Sequence, residues 1–103
     1  MRRYQPTTLP ALAAGLVVDD DVVLAESDAE EDEYAALMTA ADLSAERLAG
    51  LPDGQRRRVV VVLEAGDPRI VAVHDDTADD ADLDDDLAWY AAQEVDSLIH
   101  GIV

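Results

Sequence analysis

At 103 residues the chain has room for one small domain with a modest core and none for a second. Its formal net charge of -17 opposes direct binding to nucleic acid and to anionic membranes, whose attraction for proteins depends on Lys and Arg. The absence of cysteine excludes disulfides, thiolate metal sites and thiol catalysis, while the absence of Phe predicts an aliphatic core with Trp89 and the three tyrosines as its few large pieces.

The opening run MRRYQPTTLPALAAGLVV imitates a secretory signal, yet its apolar part from Leu9 to Val18 is too short to span a bilayer. Pro10 and Gly15 interrupt it, and it meets Asp19, Asp20 and Asp21 without a small-residue cleavage site. A strand over Arg2 to Gln5 is expected instead. A short helix capped by Thr7 or Thr8 follows, with Leu9, Leu12, Ala13 and Leu16 on one face and Gly15 placed to end it. Val22 to Ala25 reads as a short strand. SDAE then has the form of a capping box, Ser27 with Glu30 three residues on, and starts a helix whose apolar side is Tyr34, Leu37, Met38, Ala41, Ala45 and Leu48. Glu30, Glu31, Asp32 and Glu33 fill its first turn, where the helix dipole favours acids. Gly50 and LPDG stop it.

RRRVVVVLEAGDPRIVAV is a hairpin signal: a β-branched run from Val59 to Leu63, a turn at Gly66, Asp67 and Pro68, and a second run from Ile70 to Val73. Strands this continuously apolar need cover on both faces. Leu87 to Tyr90 is read as a strand and Gln93 to His100 as a closing helix, although Leu87, Ala91, Val95, Leu98 and Ile102 also form one helical stripe.

The blocks MRRYQPTTLPAL, EEDEYAALMTAA, RRRVVVVLE and LAWYAAQEVDSLI, in that order, resemble those of an uncharacterised family of small actinobacterial proteins. The chain reads as a shortened member. The resemblance implies a cytoplasmic bacterial protein and carries no catalytic residue, substrate or cofactor to any position.

Eight aspartates lie between Asp75 and Asp86. Asp80, Asp82 and Asp84 occupy the first three ligand positions of an EF-hand loop, but Asp85 stands where the turn glycine belongs and Ala91 where the bidentate glutamate belongs. In an extended chain Asp80, Asp82, Asp84 and Asp86 would stand roughly 6.6 Å apart on one side and imitate successive phosphates. The plainer expectation is a flexible, solvated loop over about 75–86, with Asp75, Asp76, Asp79, Asp85 and Asp86 as acidic surface. His74 beside Asp75 has the form of an oriented imidazole, without a recognisable nucleophile motif, and His100 suits a helix C-terminus.

All seven basic residues are Arg, a bias that fits a GC-rich genome or a salt-adapted proteome as well as a functional demand. If the strands that they open lie parallel and adjacent, Arg2, Arg3, Arg56, Arg57 and Arg58 gather into an anion or acidic-partner site; the alternative is pairing with the chain's own acids.

These features predict a single α+β domain over 1–103: a small mixed sheet with a hairpin at about 57–74 and two to three helices packed on it. The function expected is a non-catalytic, cytoplasmic protein-binding or regulatory module without cofactors, its protein partner unspecified. A DNA-mimic inhibitor of a basic nucleic-acid-binding protein, and a small hydrolase or metal-dependent enzyme with its site near His74, are the alternatives. A homodimer is expected if the helices cover only one face of the hairpin.

Overall fold

Residues 2–100, apart from Val17, Ala65, Pro68 and Asp80 and with His100 described by its backbone alone, are described by a computed structural model of the protein. In chain order the elements are β1 (Arg2–Thr7), α1 (Leu9–Ala14), β2 (Val23–Leu24), α2 (Glu30–Ala45), β3 (Val59–Glu64), β4 (Ile70–Asp75), β5 (Ala88–Ala91), a 3-10 turn (Ala92–Glu94) and α3 (Val95–His100). The strands make one sheet in the order β2-β1-β3-β4-β5.

The α+β class therefore holds, and every strand pair is antiparallel where a mixed sheet was expected. A helix between two strands suggests a parallel crossover, but α2 returns the chain so that β3 runs against β1, with Arg2 opposite Glu64 and Thr7 opposite Val59. The hairpin forms as expected between β3 and β4, with a register irregularity beyond Val62. Of its turn, Pro68 lies outside the described residues, and Gly66 adopts a φ of 82 that favours glycine. Residues 88–91 are a strand and 95–100 a helix, as preferred over the single helical stripe, whose last member Ile102 lies outside the described residues.

Strand alternation divides the core. Tyr4, Val60, Val62 and Ala72 face Ala36, Ala40 and Ala41 of α2. On the other face Val59, Val61, Leu63 and Val73 meet Leu9 and Leu12 of α1 and Val95 of α3. Val59, Val60, Val61, Val62 and Leu63 are all buried within one chain, which removes the reason for expecting a second copy as cover. Among the described residues no helix is long and apolar enough to cross a membrane.

The first helix is capped as the sequence indicates, Thr8 accepting from the Ala11 N–H at 3.2 Å. The second departs from expectation. Its N-cap is Ala29, with no side-chain cap, and Ser27 instead hydrogen-bonds Asp32, so the capping box does not form. It ends at Ala45 and buries Ala36, Ala40, Ala41 and Ser44; of the expected stripe Ala41 is buried and Leu37 packs half-buried on the core, while Tyr34 is exposed. Alanine occurs on both sides of this helix, which blurs its apolar period, and the small residues let it lie close to the sheet. Buried Ser44 exploits that approach: its hydroxyl donates to the Thr7 carbonyl at 2.7 Å and accepts from the Val59 N–H at 2.9 Å, bridging the ends of β1 and β3.

Candidate functional site

Arg58, immediately before β3, has no room for a solvated guanidinium. It is 1% exposed, and Asp76, just past the end of β4, is 2% exposed. Arginine's planar fork fits a carboxylate bidentately. Nε donates to Asp76 Oδ2 at 2.9 Å and Nη2 to Oδ1 at 2.8 Å, while the Arg58 backbone N–H adds a third bond to Oδ2 at 2.9 Å. The remaining N–H groups reach the acidic loop: Nη1 donates to the Leu83 carbonyl at 3.1 Å and Nη2 to the Asp85 carbonyl at 2.9 Å. The bond to Asp76, with the negative charges of Asp76, Asp42 and Asp85, pushes the guanidinium pKa up against the effect of burial.

Asp75 points the other way. It faces Val59 across the ladder and so lies on the α1 and α3 side, 0% exposed, with neither carboxylate oxygen hydrogen-bonded. Burial pushes its pKa up to about 7, against the counter-pull of Arg57. Arg57 meets Asp79 at 3.5 Å, and Asp79 also accepts from the Gly54 N–H, which holds its pKa low. Arg56 donates to Asp53 at 2.6 Å and to the Leu51 carbonyl at 3.3 Å. A cleft of about 380 Å³ lies here, lined by Ala45, Leu48, Ala49, Arg56, Arg58, Asp76, Ala81 and Leu83. Its central charges, Arg58 and Asp76, are already spent on each other.

The five-arginine patch is not assembled. Because β1 and β3 are antiparallel, Arg2 and Arg3 sit at the far end of β3, roughly 20 Å along the strand from Arg58. There Arg2 pairs with Glu64 at 3.2 Å, and Arg3 donates to the carbonyls of Glu64 and Asp67. Arg47 binds Asp19 and Asp21, and Arg69 binds Asp67. All seven arginines are thus engaged by the chain itself, the alternative that the sequence left open.

The acidic run divides as well. Asp75 and Asp76 are buried, contrary to the expected acidic surface, because the β4 register continues through them. Asp82, Asp84, Asp85 and Asp86 are exposed; Asp80 lies outside the described residues. The segment turns, with the Asp85 N–H donating to the Asp82 carbonyl at 3.0 Å, so the extended ladder of carboxylates that phosphate mimicry needs is not formed. Among the described residues no group of three or more His, Cys, Asp or Glu is placed to hold a metal ion. Arg58 tethers the loop through the Leu83 and Asp85 carbonyls and Tyr34 holds it at Asp86, while the Leu83 side chain is exposed.

His74 and Asp75 do not form a dyad. Adjacent strand residues face opposite sides, and His74 lies opposite Val60 and Trp89, on the α2 side. Burial pushes its pKa down, which keeps the imidazole neutral at pH 7. Trp89 is not core: it is 60% exposed on the edge strand β5. Nor is Tyr34, which is exposed and donates its hydroxyl to Asp86 at 3.0 Å. Helix α2 packs mainly over β1, β2 and β3. Sequence reasoning assigned both aromatics to the core by residue type; the signal against it was the run of acids leading into Trp89.

The model of a family of unknown function (DUF6912) matches residues 1–81, and the chain belongs to that family. The match contains β1 to β4, Arg58 and Asp76; β5 and α3 lie beyond it. No curated protein and no solved structure matches the chain.

Proposed function

We propose, for this member of a family without an assigned activity, a non-catalytic protein-binding module whose contact surface is the β5 edge around Trp89. The observation that carries the reading is Trp89 itself, a large aromatic left 60% exposed on the edge strand β5. Large aromatics are enriched at the centres of protein interfaces, and here Leu83 in the loop that leads into the strand, and Tyr34, bonded to Asp86 of that loop, add exposed apolar surface. The loop is held in shape by Arg58, so the surface is pre-organised. The divergence of His74 and Asp75 supports a binding role over the hydrolytic alternative.

Site-specific photo-crosslinking in source cells tests this. A benzoylphenylalanine at position 89 should give discrete protein adducts, and one at Leu24, exposed on the opposite edge of the sheet, should give none. Equal labelling at both positions, or none at 89, would overturn the proposal.

A further inference from the structure

The charge around Trp89 narrows the partner. Asp82, Asp84, Asp85 and Asp86 are exposed within seven residues of it, and Asp86 is held by Tyr34, at most roughly 10 Å of chain from the indole. No arginine is left to offset them, since all seven are engaged internally. The cross-strand neighbour of Trp89 is His74, whose pKa burial pushes down, away from the cationic form. An indole face is the best aromatic surface for a guanidinium or ammonium group, and surrounding carboxylates strengthen the field that attracts one.

The mode of contact is also constrained. The Ala91 N–H is taken by Glu94 Oε1 at 3.1 Å, so it points away from β4 and is capped. In an antiparallel ladder Trp89, two residues back, is then the only inner residue of β5 whose backbone faces outward. One free residue is too little edge for a partner to add a strand. Recognition must run through side chains.

We infer that the β5 edge docks a basic protein segment, one cation seated on Trp89 and its neighbours on Asp82, Asp84 and Asp85. This rests on the binding-module reading and names its partner by chemistry. An acidic or neutral segment finds no complementary charge on this surface. Duplex nucleic acid is repelled by it.

The probe is a dye-labelled ten-residue peptide of alternating Arg and Gly, with a Gly-Ser peptide of equal length as control, followed by anisotropy and by emission of Trp89, the single tryptophan of the chain. The Arg peptide should bind and perturb that emission, and its affinity should fall as salt rises. Trp89→Val should weaken it about tenfold, and Asp82→Asn with Asp84→Asn and Asp85→Asn should weaken it at least as much. Asp20→Asn with Glu26→Gln and Glu46→Gln, exposed acids elsewhere, should change it less than threefold. If that remote set weakens binding as much as the loop set, the attraction is diffuse and the site is refuted. If position 89 crosslinks in cells while the Arg peptide binds no better than the Gly-Ser peptide, the module stands and the basic partner falls.

Discussion

The two ends of β3 carry the same kinds of charge and use them differently. At its start Arg58 and Asp76 are 1% and 2% exposed and bound through both ends of the fork; at its finish Arg2 and Glu64 are 44% and 45% exposed and meet at one point, 3.2 Å apart. A surface pair keeps most of its hydration and so adds little. A buried pair has surrendered it, and the structure then depends on every remaining bond being made. The buried end is accordingly where the chain attaches its acidic loop, whereas at the exposed end Arg3 reaches the hairpin turn.

Removing one partner at each end is the most direct way to break the contrast. Arg58→Ala strands the Asp76 carboxylate in the interior and frees the Leu83 and Asp85 carbonyls, and should cost about 3–5 kcal/mol. Arg2→Ala should cost about 1 kcal/mol or less. Denaturant midpoints of the two variants check this; equal losses would mean that burial is not what distinguishes the ends.

Within the buried end, Asp75 sharpens the comparison, since it lies next to Asp76 and its carboxylate has no hydrogen-bond partner among the described residues. Its pKa is raised from an ordinary 3.8 to about 7 in the folded chain, so between those values the unfolded chain has lost the proton that the folded chain keeps. Stability is fully present below the lower value, falls as pH rises between them, and stays reduced above the upper one by on the order of 2–4 kcal/mol. Asp75→Asn cannot ionise and should lack that part of the fall. Urea unfolding of both proteins at pH 5 and pH 8 measures the difference, and parallel losses would show that Asp75 is ionised in the fold.

How much of this was legible follows from what each element depends on. The hairpin and α1 were readable because local pattern and propensity agree there, the cap being narrowed to Thr7 or Thr8; the strand at 88–91 was preferred on propensity against a competing helical stripe. The direction of β1 against β3 was not, since it is decided by how α2 packs, and an alanine-rich helix shows no clear face. That one unknown misplaced the arginines. The acids misled for another reason: composition marks Asp75 to Asp86 as a uniform solvated run, whereas the ladder register carries Asp75 and Asp76 inside before the chain turns out. No single-residue property separates Asp76 from Asp84. What separates them is Arg58, eighteen residues upstream of the former and its neighbour only once β3 and β4 have paired.

A small stability change is expected at the residue on which the proposed function depends most. Trp89 buries only two-fifths of its surface on an edge strand, and Val keeps both the β-branched preference for strands and part of that contact. The apolar area lost is some tens of Å², which at about 25 cal/mol per Å² amounts to about 1 kcal/mol. Trp89→Val should therefore fold almost as stably as the native chain while losing the basic peptide, the reverse of Arg58→Ala, which should lose stability first and binding as a consequence. Thermal unfolding beside peptide anisotropy separates the two. A loss above about 3 kcal/mol for Trp89→Val would place the indole in the core, and the β5 edge would then have no exposed aromatic to offer a partner.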